Sequence, residues 1–467
     1  MRFITASLDE NIVKNLLCGP LLVALFLLSS VANAQDNAPR QQGVMQGRDI
    51  SPQKEGRGVA VKSSKTRMHL ALDAAGGLDT NPYSVPAALN SEFVGDLVLR
   101  LRPALTMSNS DAQMLWDAGF SFDWGMMPGV FSEQTGNPLL YHADAHAGAE
   151  FSRGAPMSFA VRDSVAWYTD PGQVALGSLQ SRINNNLTAG LAFTPGGGAL
   201  VVRTDYSFGF EKYVTPIGQE ENSEGLTSGN QDNMQHYLHG RVDWRFFPRT
   251  GAFIDARGGS FSYPFGDVNP DSYPLWLRTG IMGQFSRKLS GVISAGYANP
   301  FIMDAPAGGG EATLVTSDFP GVIGHIELRW FPNLSTQLAG GLKRDATPAA
   351  VYQYVASNTA YMQLEQKVGR KMKLSADISG GLLQFGREQF DGNFPFTSKY
   401  QGDRMDYTVN LHLEAGYSVA EWLSVGILER FNTRITEADM IDSTTGANLG
   451  NLGMNRNELF LIMSLHY

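Results

Sequence analysis

The sequence holds a single cysteine, Cys18, in 467 residues. That thiol lies in an N-terminal segment with the features of a cleaved leader, so a disulfide framework and thiol chemistry are excluded from the chain that follows. Charge is sparse and tilted toward acid. Asp, Glu, Lys and Arg make up 17% of the residues and the formal net charge is -9, which gives no electrostatic support for a nucleic-acid partner. Long apolar runs are also missing. The one candidate, Leu16 to Leu28, falls short of the roughly 20 residues a membrane-spanning helix needs, and no other segment approaches it. There is no G-x-S-x-G elbow, no H-E-x-x-H, no phosphate-binding loop and no paired-cysteine motif, so no enzyme class and no cofactor is indicated.

What is present is glycine and aromatic residues: 51 Gly, 26 Phe and 16 Tyr, which favour strands and turns over helices. The N-terminus supplies a compartment. Arg2 and Lys14 precede the apolar run, and small residues ending in Ala32, Asn33 and Ala34 follow it, which predicts a secretory signal over residues 1–34 with cleavage before Gln35. Cys18 opens the apolar run instead of following it, which argues against a lipoprotein site. Residues 35–65 are polar and rich in Gly, Gln, Arg and Lys without hydrophobic period, so they are expected to form an irregular periplasmic tail, either a contact arm or a passive spacer.

From residue 66 to 467 the chain alternates with period two. Leu97, Leu99 and Leu101 fall on one side of an extended chain, with Arg100 and Arg102 on the other. Trp116, Phe120, Phe122 and Trp124 likewise oppose Asp117, Ser121 and Asp123. Leu238, Val242 and Trp244 oppose His239, Arg241, Asp243 and Arg245. A secreted chain with no spanning helix can still cross a membrane, but only as a closed barrel, because lipid offers no water to open sheet edges.

Connection lengths decide between a barrel and a soluble sandwich. Short turns recur near Ser152–Pro156, Thr194–Gly198, Pro248–Gly251, Ser286–Lys288, Pro332–Ser335, Gly369–Lys371 and Val419–Glu421, with a slightly longer one at Ser108–Ala112. Aromatic residues close several of the preceding strands: Phe151, Phe193, Phe247, Phe285, Phe331 and Tyr417. Longer polar stretches such as Pro216–Asp232 and Arg387–Asp403 separate them. Short turns at one edge, long loops at the other and an aromatic girdle at the turns describe a transmembrane antiparallel up-and-down β-barrel of about 18 strands, in a range of 16 to 20, with turns in the periplasm and loops outside. Such a chain belongs in the outer membrane of a Gram-negative bacterium, with membrane lipid and the barrel assembly machinery as its partners.

The residues expected to line the lumen are Arg100, Arg102, Asp144, Arg203, Asp205, Arg241, Asp243, Arg245, Asp255, Arg257, Glu327 and Arg329. Opposite signs sit two residues apart on single strands, which predicts an ion-paired, hydrated lining instead of a ring of one sign. Barrels of this size are wide enough for an aqueous channel, and a mixed lining suits a polar, weakly charged solute or simply braces the wall. His142, Asp144 and His146 share one face, but same-face neighbours on a strand are about 6.6 Å apart, too far to converge on one metal ion.

The last strand carries the sharpest pattern. Leu459, Leu461, Met463, Leu465 and Tyr467 form an apolar face that ends in an aromatic residue, and the stretch resembles the C-terminal strand that outer-membrane barrels present to their assembly machinery. A second resemblance is carried by ALDAAGGLDTNPY (Ala71–Tyr83), GAFIDARGGSFSYP (Gly251–Pro264) and SYPLWLRTGIMGQFSRKLSGVISAGY (Ser272–Tyr297). These segments are similar to the opening strand and hairpins of barrels encoded with exopolysaccharide biosynthesis systems of Gram-negative bacteria. That resemblance implies a pore for exopolysaccharide export, with periplasmic export proteins as partners, and brings no site residues with it. Three other readings use the same barrel: a general or solute-selective uptake porin, a closed-lumen adhesin or receptor, and an enzyme whose site is assembled from separate strands.

Overall fold

The structure is a computed structural model and describes residues 59–60, 66–81, 95–110, 114–127, 139–152, 154–168, 181–214, 232–264, 271–304, 313–315, 317, 319, 321–348, 354–386, 396–398, 404–442 and 448–467. The predicted leader and nearly all of the predicted tail lie outside these residues.

Eighteen strands form one closed antiparallel barrel. In chain order they are β1 (Thr66–Asp79), β2 (Asp96–Ser110), β3 (Met114–Met126), β4 (Leu139–Phe151), β5 (Met157–Tyr168), β6 (Ser181–Phe193), β7 (Leu200–Val214), β8 (Asn233–Phe247) and β9 (Thr250–Ser262). They continue as β10 (Ser272–Gln284), β11 (Leu289–Asp304), β12 (Val322–Asn333), β13 (Thr336–Thr347), β14 (Val355–Val368), β15 (Met372–Phe385), β16 (Met405–Ser418), β17 (Leu423–Thr436) and β18 (Met454–His466). Each strand pairs with its sequence neighbours, and β18 closes the ring on β1 with His466 opposite Ala71 and Glu458 opposite Asp79. Closure leaves no unpaired edge, which is the condition for a sheet in lipid.

Alternation within each strand sorts side chains between the two faces. Outward positions expose large apolar residues, among them Leu70, Leu99, Phe120, Leu238, Ile254, Leu342 and Leu461. At the short-turn edge the belt ends in exposed Phe151, Phe193, Phe247, Phe285, Tyr417 and Tyr467, joined by Trp244 and Trp422. Phe331 departs from the expected girdle: it falls on the inward parity and is half-buried, and the neighbouring Trp330, 50% exposed, takes its place. The turn between Val368 and Met372 shows why glycine marks these edges, since Gly369 adopts φ +62° with open space around it.

Glycine also sets wall curvature. A Cβ built on Gly77 would stand 2.1 Å from the Leu459 carbonyl oxygen across the closing seam. Only glycine permits so close a backbone approach.

Two acids interrupt the outward apolar face at mid-strand. Asp163 is 4% exposed and accepts a hydrogen bond from Asn185 Nδ2 at 2.6 Å. Glu429, between Ile427 and Phe431 on β17, is half-buried and has no hydrogen bond or ion pair among the described residues. Beyond the barrel, Val59–Ala60 adds a two-residue strand to β1, and Thr313–Val315 pairs with the end of β11. Phe396–Ser398, Asp439–Asp442 and Asn448–Asn451 form a small three-stranded sheet at the long-loop edge.

Candidate functional site: the charged inner wall

The inward face of each strand carries its polar alternation, and barrel curvature brings side chains from adjacent strands together. On β2 to β4, Arg100 pairs with Asp123, and Arg102 donates from Nη2 to Ser121 Oγ at 2.8 Å and to Asp144 at 3.4 Å. Ser121 in turn donates to Asp144. His146 Nε2 lies 3.7 Å from Asp117, so His142, Asp144 and His146 face separate neighbours and do not share a centre.

On β7 to β9 the pairing is denser. Arg241 forks onto Asp243 with Nη2 at 2.8 Å and Nε at 3.0 Å, and Arg203 reaches the same carboxylate at 3.5 Å. His239 stands between two acids, with Nδ1 2.9 Å from Asp205 and Nε2 2.7 Å from Asp255. Arg241 also lies flat over Phe253, its guanidinium carbon 4.2 Å from the ring centre. Arg203 and Asp205, which share a face of one strand, therefore pair across to β8 instead of with each other. Arg245 is exposed near the Phe247–Thr250 turn.

On β12 to β14, Arg329 Nε is 2.6 Å from Glu327, and the Tyr361 hydroxyl donates to the same carboxylate at 2.5 Å. Arg278 on β10 reaches Asp345 on β13 at 2.8 Å, and Lys343 approaches that acid at 3.2 Å. Trp276 Nε1 likewise donates to the Ala346 carbonyl at 3.0 Å. Both contacts cross two intervening strands, so the wall bends sharply inward there. Small inward residues on β11, Gly296 and the buried Ala298, leave room for the crossing.

A further charged group is absent from the sequence candidates. Arg404 forks onto the fully buried Asp406, Arg434 Nε stands 3.8 Å from it, and Arg456 bridges Asp79 at 2.6 Å and Glu458 at 3.2 Å. Its sequence signal is the same as on the other strands, Arg and acid two apart on one face. It sits where β16 and β18 emerge from long loops, and the loop composition on either side hid it. At the opening of β8, burial pushes the Asp232 carboxyl above its usual range, against the Tyr213 amide that donates to it at 2.7 Å and the nearby Lys212.

The lining is not uniformly polar. Ala75, Val98, Met127, Leu428, Phe460 and Ile462 form a buried apolar cluster beside the closing seam. A second cluster gathers Tyr237, Trp276, Ala298, Ile323 and Ala356 around the sharp bend. Leu459, Leu461, Met463 and Tyr467 are exposed on the opposite, outer face, and Leu465 is half-buried there.

No family model and no curated protein matches the sequence. Solved structures similar in shape include the ferric enterobactin receptor PfeA of Pseudomonas aeruginosa, at 7% identity and a TM-score of 0.44 over 86% of this chain and 81% of that one. The siderophore receptor PirA of Acinetobacter baumannii matches at 7% identity and 0.42, covering 88% and 81%. The FrpB iron transporter of Neisseria meningitidis matches at 6% identity and 0.41, covering 85% and 81%. None of the three concerns an exopolysaccharide system. At this identity the likeness is one of barrel shape, and what those receptors bind does not transfer.

Proposed function

We propose that the chain is a solute-selective channel of the uptake-porin class in the outer membrane of a Gram-negative bacterium. One observation carries the reading: a closed eighteen-strand barrel with an apolar, aromatic-edged exterior turns Arg–carboxylate pairs and neutral polar groups to its inner face. A wall of that kind holds water and admits polar solutes, and charged groups on it favour one sign of ion over the other. Lipid and the barrel assembly machinery are its partners in this reading, the latter through the terminal face from Leu459 to Tyr467.

The test is direct. Purified protein in a planar bilayer should give discrete conductance steps, and proteoliposomes should swell in small sugars. A folded barrel that conducts no ions would sink the channel reading and favour a closed-lumen receptor or adhesin. Exopolysaccharide export is the second reading, supported by the resemblance of Ala71–Tyr83 and the two hairpin segments alone. Deleting the gene with the rest of such a pathway intact should then abolish surface polysaccharide, and unchanged polysaccharide would end that idea.

A further inference from the structure

We propose that the inner wall carries a binding site for an oxyanion, the carboxylate or phosphate group of a passing solute, centred on Arg257. The inference rests on the channel reading and adds the chemical class of the solute.

Arg257 lies on the inward face of β9, opposite Trp276 on one side and His239 on the other. Its guanidinium carbon is 4.0 Å from the centre of the Tyr237 ring and 5.2 Å from that of Trp276. The rings hold the flat face of the cation and leave its edge untouched, and the edge is where all five N–H donors of a guanidinium point. Among the described residues Arg257 makes no hydrogen bond and no ion pair. It differs in this from Arg100, Arg203, Arg241 and Arg329, each of which has a carboxylate partner.

The acids close enough to serve it are already engaged. Asp205 and Asp255 hold the two nitrogens of His239, and Asp345 holds both Arg278 and Lys343. Two cations share the Asp345 carboxylate, and Asp205 and Asp345 act on Arg257 through space without a hydrogen bond to it, so its donors stay unfilled among the described residues. Arg278 is also the diagonal neighbour of Arg257, because it faces Asp255 in the same strand pair. A rigid, aromatic-backed guanidinium with an open edge presents parallel donors to a planar carboxylate or to two phosphate oxygens, and its stacked face has already lost the rotamer freedom that binding would otherwise remove.

The experiment uses the folded full-length protein in detergent micelles at low ionic strength. Calorimetric titrations with inorganic phosphate, with glucuronate and with glucose are compared for the native chain, Arg257→Gln, Arg257→Lys and, as a control on the short turn, Arg287→Gln. Retained folding is read from heat-dependent gel migration. Native protein and Arg287→Gln should bind at least one anion and not glucose. Arg257→Gln should weaken binding at least about ten-fold, because a hydrogen bond to a charged group is worth a decade or more in affinity, and Arg257→Lys should fall between. Phosphate binding alone assigns a phosphorylated solute, and glucuronate binding alone assigns a sugar acid. No anion binding to the native protein, or equal binding by Arg257→Gln, overturns the site. In planar bilayers under a salt gradient, Arg257→Gln should shift the reversal potential toward cations. A barrel that binds anions but passes no current refutes the channel and keeps the site, whereas one that conducts without binding them refutes the site and keeps the channel.

Discussion

Arg456 forks onto the buried carboxylate of Asp79, with Nη2 at 2.6 Å and Nε at 3.0 Å from Oδ2, and so ties the last strand of the barrel to the first. The same arginine reaches Glu458 at 3.2 Å, and Arg430 stands 3.9 Å from that acid. Ring closure is thus reinforced by charge as well as by the backbone ladder.

Replacing Arg456 with Leu leaves Asp79, 1% exposed, as a charge without its fork, and breaking a buried pair from one side costs about 3–5 kcal/mol. The denaturation midpoint of the refolded barrel in lipid vesicles, followed by tryptophan fluorescence, should fall accordingly. The double substitution Asp79→Leu with Arg456→Leu should recover much of the loss, since it removes the stranded carboxylate. Equal losses in single and double variants would show that the pair contributes little beyond packing.

Much of the barrel was legible because its solvent, lipid, forces every strand to declare its two faces. The expected count of about 18 strands and the short turns at Ser152–Pro156 and Gly369–Lys371 coincide with the structure. Inward charges were visible one strand at a time. Their partners were not: Arg203 prefers Asp243 over its own neighbour Asp205, and Asp79 meets Arg456 across 377 residues. Such choices depend on stagger between strands, which alternation does not encode. The sharp bend that lets Arg278 reach Asp345 left no periodic trace either, and only Gly296 and Ala298 hint at it.

Gly77 tests the seam from the backbone side. A methyl there would stand 2.1 Å from the Leu459 oxygen and 2.5 Å from the Phe460 ring. Gly77→Ala should therefore slow refolding and lower the unfolding midpoint. Gly240→Ala on β8, with nothing within 4 Å of the added Cβ, should leave both nearly unchanged. Comparable losses at the two sites would mean that the cost is one of general strand propensity and not of close approach.

Glu429 faces outward, with Leu413 and Leu459 as its cross-strand neighbours. Lipid-facing Lys or Arg at the midplane costs about 2–4 kcal/mol and Asp or Glu less, so Glu429→Leu should stabilise the barrel by roughly 1 kcal/mol in vesicles. A loss of stability on that change would reveal that the carboxylate is engaged by a neighbouring molecule in the membrane.

The terminal strand permits a test of register that stability alone does not provide. A one-residue slip would exchange the exposed Met463 with the buried Ser464 beside it and turn the whole apolar face from Leu459 to Tyr467 inward. Cys18 is the sole cysteine, so in a Cys18→Ser background a single introduced cysteine is a unique attachment point. A nitroxide on Met463→Cys should be relaxed by oxygen, which concentrates in lipid, and shielded from a water-soluble nickel complex. A nitroxide on Ser464→Cys should show neither strong response, since Ser464 is fully buried on the inner face. Met463→Arg should in parallel cost about 2–4 kcal/mol, because Met463 lies roughly 10 Å above the Tyr467 girdle at ordinary strand tilt, close to the middle of the apolar belt. Accessibility and destabilisation must agree: oxygen relaxation at position 464 instead of 463 would place the face from Leu459 to Tyr467 in the lumen and undo the register of every strand paired to it.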